Sequence, residues 1–289
     1  MKKLIRQAIF CGISGKMGCD SKYHFTVDFE KNDPENDAIQ FIKPYFRQSQ
    51  LNGVNICWFG YQFNGKLDRV YRDACISYLK NVQPVPTITE DNMYDDHIIS
   101  TDGISEADLY TMIERSFRGL GLHNLSVDAV VYPISSSNML VKYIAKSVRR
   151  YLNECSRLSF HEIVKADPKN ITIDVVGCMA DINDGLLDDC DGLITKSYLM
   201  DLQDTVRSKS EFSLKQDISP MSIRPYVSNF LALKDANQAL NSAEKVLIVD
   251  DFNTTGTTLS ELVRIVRQYN NTCQIYVFTL LGNSRKALQ

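Results

Sequence analysis

Two periods of apolar residues run through the chain, and they divide it into strands and helices. Strand-like runs cover Leu4 to Phe10, Tyr23 to Phe29, Val54 to Phe63, Val127 to Pro133, Ile171 to Cys178, Val246 to Val249 and Gln274 to Leu281. The spacing changes to helical after Asn64-Gly65, where Leu67, Val70, Tyr71, Ala74, Cys75 and Tyr78 share one face. Ser105 with Asp108 forms a capping box, and Leu109, Met112, Ile113 and Phe117 line the helix it opens. Gly119 and Gly121 end that helix. A further helix places Leu140, Val141, Ile144, Ala145, Val148 and Leu152 on one side. Lys142, Lys146, Arg149 and Arg150 lie opposite and read as a solvated face rather than a binding surface. Near the end of the chain, Leu259, Leu262, Val263 and Val266 oppose Glu261, Arg264, Arg267 and Gln268.

The connections are less regular. Gly12, Gly15 and Gly18 fit neither G-x-x-x-x-G-K-[ST] nor G-x-G-x-x-G, so that stretch is expected to be a flexible turn between two strands. Asp33-Pro34 predicts a helix start, with the helix running to about Phe46 despite Pro44. Gln83 to Asp102 reads as a long connection. The acidic run from Asp181 to Asp191 fails the calcium-loop pattern, because Gly185 falls one place early and Gly192 stands where a glutamate is needed. It is expected to be a solvated loop.

The chemistry concentrates in Lys245-Val246-Leu247-Ile248-Val249-Asp250-Asp251-Phe252-Asn253-Thr254-Thr255-Gly256-Thr257-Thr258-Leu259. The apolar run is that of a strand covered on both faces. Asp250 and Asp251 stand at its carboxyl end, where open α/β sheets place their sites. Thr254, Thr255, Gly256, Thr257 and Thr258 then lead into a helix. Free N–H groups and the helix dipole at such a start make a seat for a phosphate, and Gly256 allows close approach. Two carboxylates beside that seat would repel a bare phosphate. They suit a ligand that also offers hydroxyls, such as a sugar phosphate. A chance strand–turn–helix with an acidic pair is the bland alternative.

This string resembles the phosphoribosyl-pyrophosphate (PRPP) signature of type I phosphoribosyltransferases along all fifteen residues. The resemblance implies that Asp250 and Asp251 hold the ribose hydroxyls, and that one of them assists proton transfer. Contact between this pair and magnesium would be indirect, through ribose or water. Thr254 to Thr258 would wrap the 5′-phosphate. By position, Ser135, Ser136, Ser137 and Asn138 after the first core strand would hold pyrophosphate, although the same residues could simply cap the following helix. Residues 201 to 243 would correspond to the family's mobile lid. Arg207, Lys209, Lys215 and Arg224 are its candidate pyrophosphate contacts, with a surface role as the alternative for each. Arg224 to Leu233 loosely resembles the ComF-like branch, but that branch's N-terminal cysteine-rich zinc element is absent.

The implied fold is a three-layer α/β/α core with a mostly parallel sheet over residues 126–289, preceded by an α+β region over 1–125 that could form a hood. Composition agrees with a folded core: 44% of the 289 residues are hydrophobic. A net charge of −3 provides no overall attraction to nucleic acid or membrane, and no run approaches the ~18 apolar residues of a membrane span. Eight scattered cysteines, with no C-x-x-C pair, point to reduced thiols and a cytoplasmic protein. The expected activity is Mg2+-dependent transfer of the phosphoribosyl group from PRPP to a small-molecule acceptor, usually a nitrogenous base, with a homodimer as the family prior. The competing readings are a non-catalytic PRPP or nucleotide sensor and a structural protein on the same fold.

Overall fold

In a computed structural model of the chain, the described residues are 12–17, 23–29, 37–40, 45–47, 53–63, 69–83, 103–134, 139–152, 158–235, 238–253 and 256–282. Their strands, in chain order, are β1 (Gly12–Met17), β2 (Tyr23–Asp28), β3 (Asp37–Gln40), β4 (Tyr45–Arg47), β5 (Ile56–Phe63), β6 (Ala129–Pro133), β7 (Ser159–Lys165), β8 (Thr172–Ile173), β9 (Val227–Ser228), β10 (Leu231–Leu233), β11 (Lys245–Asn253) and β12 (Gln274–Gly282). The helices are α1 (Arg69–Lys80), α2 (Glu106–Gly119), α3 (Leu140–Tyr151), α4 (Val175–Asn183), α5 (Lys196–Arg207), α6 (Leu214–Asp217), α7 (Gln238–Asn241) and α8 (Thr257–Tyr269).

One ten-stranded sheet organises them, in the order β10-β7-β6-β11-β12-β5-β3-β1-β2, with β4 also paired to β5. The central strands β7, β6, β11, β12 and β5 are mutually parallel. Antiparallel pairs flank them on both sides. Helices cover both faces, which makes the core a three-layer α/β/α structure.

The strand period divides the apolar side chains cleanly. On β11, Leu247 and Val249 join a cluster with Ile113, Phe117, Leu140 and Ile144 from α2 and α3. Val246 and Ile248 join Leu259, Leu262 and Val266 of α8 on the opposite face. Burying such a side chain contributes about 1.5–3 kcal/mol each, so these two clusters are the main source of stability. The capping box holds at the start of α2: the Asp108 N–H donates to Ser105 Oγ at 3.0 Å, and the Ser105 hydroxyl donates to Asp108 Oδ2 at 2.7 Å.

The N-terminal region does not stand apart from this sheet. β5 pairs with β12 from Ile56↔Tyr276 to Gln62↔Gly282, so hydrogen bonding runs across the expected boundary near residue 125. Tyr61 donates its hydroxyl to the Met112 carbonyl at 2.7 Å. α2 also packs tightly on β5. A Cβ at Gly60 would lie 2.9 Å from the Leu280 carbonyl oxygen and 3.1 Å from Ser116 Cβ.

Four sequence expectations need correction. The glycine-bearing stretch Gly12–Met17 is itself a strand, in register with β2 from Gly12↔Asp28 to Met17↔Tyr23. The helix expected up to Phe46 gives way to β3 and β4, because pairing with β1 and β5 outweighs the local helix-start signal. Ile171 to Cys178 is not a core strand. Asp174 interrupts the run and caps α4, with Oδ1 accepting from the Gly177 N–H at 2.9 Å. The core strand next to β6 is instead β7, whose mixed composition Ser-Phe-His-Glu-Ile-Val-Lys hid it. Finally, Glu261 is buried, not solvent-facing. Its carboxylate accepts from Arg264 Nε at 2.8 Å and Nη2 at 2.9 Å at the β10 edge.

Between β7 and β10 the chain leaves the sheet. Ile171, Cys178, Ile194, Leu199, Val206, Phe212, Ile218 and Ile223 form a third buried cluster there. Most of the interval expected to act as a lid is thus a packed unit with its own core. The acidic stretch after Asn183 is a turn in which Asp184, Asp188 and Asp191 are exposed. Leu4 to Phe10 and most of Gln83 to Asp102 lie outside the described residues. No helix among the described residues is long and apolar enough to cross a membrane.

Candidate functional site

The sheet order singles out one crevice. From β6 the chain passes through α3 to β7 on one side, whereas from β11 it passes through α8 to β12 on the other. β6 and β11 are neighbours, so the topological switch point lies between their carboxyl ends, where open α/β sheets bind ligands. The described residues nearest this point are Pro133, Ile134 and Met139 on the β6 side and Asn253, Gly256 and Thr257 on the β11 side. Ser135, Ser136, Ser137, Asn138, Thr254 and Thr255 lie outside the described residues. The elements on either side of them are described.

Asp250 and Asp251 occupy the end of β11, two and three positions beyond the Ile248↔Val131 pair with β6. Both are buried, at 5% and 7% exposure. Strand alternation sends them to opposite faces. Asp250 continues the face of Val246 and Ile248, towards α8. Thr279 of β12 is level with it, and the Thr279 hydroxyl is buried with no hydrogen-bond partner among the described residues. Asp251 continues the face of Leu247 and Val249, towards α1. There Lys80, the last residue of α1, places Nζ 3.3 Å from Asp251 Oδ2 and 5.0 Å from the centroid of the Phe252 ring.

Burial raises the Asp250 carboxyl well above the ordinary carboxylate range, and the neighbouring Asp251 charge raises it further. Its own geometry opposes this only in part. Asp250 Oδ1 accepts from the Asp251 N–H at 2.9 Å, and Asp251 Oδ1 accepts from the Phe252 N–H at 2.7 Å. Lys80 balances Asp251, and burial biases Asp250 towards its protonated form.

Gly256 is in the left-handed region at φ 79° and immediately precedes α8. At the N-cap position, it has no side chain with which to cap the helix, and the Ser260 N–H donates to the Gly256 carbonyl at 2.8 Å. Thr257 is buried and Thr258 half-buried in the first turn. The N–H groups of a helix start behind a left-handed glycine are a suitable seat for an anion.

The lid candidates are engaged elsewhere. Arg207 Nε donates to the Ile171 carbonyl at 2.9 Å, and Lys209 pairs with Asp217. Arg224 donates from Nη2 to the Lys215 carbonyl at 2.9 Å and from Nε to the Ile218 carbonyl at 3.3 Å. Lys215 is exposed. No described contact brings any of the four to Asp250 or Asp251. Lys80 is the residue that sequence reasoning missed. Its only signal was a basic side chain in the last turn of α1, a common helix-ending feature.

No cluster of three or more metal-ligating side chains occurs among the described residues. Two carboxylates, one already paired with Lys80, do not make a cage.

No known protein family matches the chain, and no curated protein does so. Among solved structures, it is similar to a hypoxanthine phosphoribosyltransferase from Staphylococcus aureus, with 14% identity over 64% of this chain and 68% of that one and a TM-score of 0.32. A likeness at that level leaves the reading of the site to the residues described above.

Proposed function

We propose that this chain is a phosphoribosyltransferase that moves the 5-phosphoribosyl group of PRPP to a nitrogenous acceptor and releases pyrophosphate. One observation carries the reading: the acidic couple and the glycine-led helix start flank the same switch-point crevice. In this reading the N–H groups of the first turn of α8, with Thr254 to Thr258, hold the 5′-phosphate. Asp250 and Asp251 meet the ribose hydroxyls, and Ser135 to Asn138 hold the pyrophosphate from the β6 side. The Lys80 ammonium beside Asp251 supports this assignment, because it lowers the repulsion between the acidic couple and the phosphates it must sit beside. Asp250 is the better candidate to exchange a proton with the acceptor, since burial and the neighbouring Asp251 favour its protonated form while Asp251 is paired with Lys80. Magnesium bound with the substrate would neutralise pyrophosphate oxygens as the C1–O bond breaks. The protein's own part is to position the reactants and supply fixed charge.

A second reading is favoured by one contact. The Lys80 ammonium already engages Asp251, as it would in a PRPP sensor whose pocket opens only when ligand displaces the lysine. Incubation with PRPP, Mg2+ and a panel of bases separates the two readings. Released pyrophosphate supports transfer, and PRPP binding without turnover supports the sensor. Loss of PRPP binding altogether removes both and leaves a structural role.

A further inference from the structure

On the far side of β6 from that crevice lies a cavity of about 720 Å³, lined by residues of α3, β6 and β7 together with Met139. Its basic wall is Lys142, Lys146, Arg149 and Arg150, and its apolar wall includes Tyr132 and Phe160. Neither β11 nor α8 contributes to it. The four cations share one stripe of α3, spaced at i, i+4, i+7 and i+8. Like charges so spaced destabilise a helix by about 0.2–0.5 kcal/mol per pair, so the stripe has a cost that a merely solvated face does not need.

The one carboxylate in the cavity does not cancel this charge. Glu162 accepts from Lys234 at 2.7 Å and from the Tyr132 hydroxyl at 3.3 Å. Among the described residues, none of the four basic side chains forms an ion pair. Arg149 instead stacks over the Phe160 ring at 4.8 Å, and Arg150 lies over Tyr110 at 5.6 Å. Tyr132 and Phe160 meet edge to face at 6.5 Å, which leaves an aromatic floor beneath the cations. Exposed Met139 adds an apolar rim.

We infer that this cavity binds a nucleoside polyphosphate, with its phosphates along Lys142, Lys146, Arg149 and Arg150 and its base against Tyr132 and the Arg149–Phe160 stack. Inorganic polyphosphate alone would leave the aromatic floor uncovered. An uncharged aromatic molecule would leave four cations without counter-charge. A ligand with both parts satisfies both walls, and the volume is within the range of small-molecule sites. The site adjoins the β6 side of the proposed transfer crevice through Met139, takes no lining from β11 or α8, and does not depend on that reading.

The test is titration of the full chain with a fluorescent N-methylanthraniloyl ATP, in competition with ATP, AMP and tripolyphosphate. Saturable binding is expected, with ATP displacing the probe on the order of tenfold better than either AMP or tripolyphosphate, since each lacks one half of the ligand. The Lys146→Glu/Arg149→Glu variant is expected to lose on the order of tenfold or more in affinity. Both positions are exposed, and circular dichroism verifies the fold; Lys146→Gln/Arg149→Gln provides a milder second variant. Asp250→Asn is expected to bind the probe like the parent, which separates this site from the PRPP crevice. Absence of saturable binding, parent-like affinity in both double variants, or tripolyphosphate competing as well as ATP would each overturn the assignment.

Discussion

The Lys80 ammonium lies 3.3 Å from Asp251 Oδ2, joining the last turn of an N-terminal helix to the end of the signature strand. Asp251 is 7% exposed and the Lys80 side chain 34% exposed, so the carboxylate is the partner that depends on the pair. The contact ties a region with no recognisable motif directly to the candidate site.

Replacing Lys80 with methionine should therefore destabilise the protein by about 1–3 kcal/mol, because a buried carboxylate loses its counter-charge. Adding Asp251→Asn should recover part of that loss. Urea melts of the single and double variants measure the coupling. Additive effects would mean that the pair has no energetic role.

Asp250 should give stability a distinct pH dependence. Its folded pKa is raised, so between the unfolded value and the folded one the native state binds more protons than the unfolded chain. Stability from this group is then lost as pH rises through that window. Asp250→Asn should flatten this fall and raise the melting temperature at neutral pH, while abolishing the thermal shift produced by PRPP. Parallel pH profiles for the variant and parent would refute the assignment.

Gly256→Ala should cost about 1–2 kcal/mol, because the left-handed backbone at φ 79° disfavours any Cβ. The substitution should also weaken PRPP binding, since the strained turn leads directly into the phosphate seat. Thermal shift with and without PRPP separates the two effects.

A fragment beginning at residue 126 should fold poorly. It would lack β5, leaving β12 with an unpaired edge, and it would lose the α2 side chains that cover one face of the sheet. Hydrogen exchange along β12 should be fast in the fragment and slow in the full chain. Equal protection would show that the C-terminal part is self-sufficient.

Much of this was legible in the sequence because the responsible forces are local. The β11 run announces a doubly covered strand, and Ser105 and Asp108 announce a helix start. The phosphate chemistry proposed for the Asp250 to Thr258 string rests on residue type and spacing. Periodicity likewise orients α2, α3 and α8, apart from Glu261, whose burial requires Arg264 and the β10 edge.

Other features depended on partners distant in the chain. Gly12–Met17 became a strand because β2 supplied a complete antiparallel register, and β7 became a core strand because β6 lay beside it. Lys80 reached Asp251 only once α1 and β11 packed on the same sheet face. The sequence by itself determined which chemistry the chain can present. Tertiary pairing decided which charges meet it, because hydrogen-bond register and burial are set by neighbours that no local pattern names.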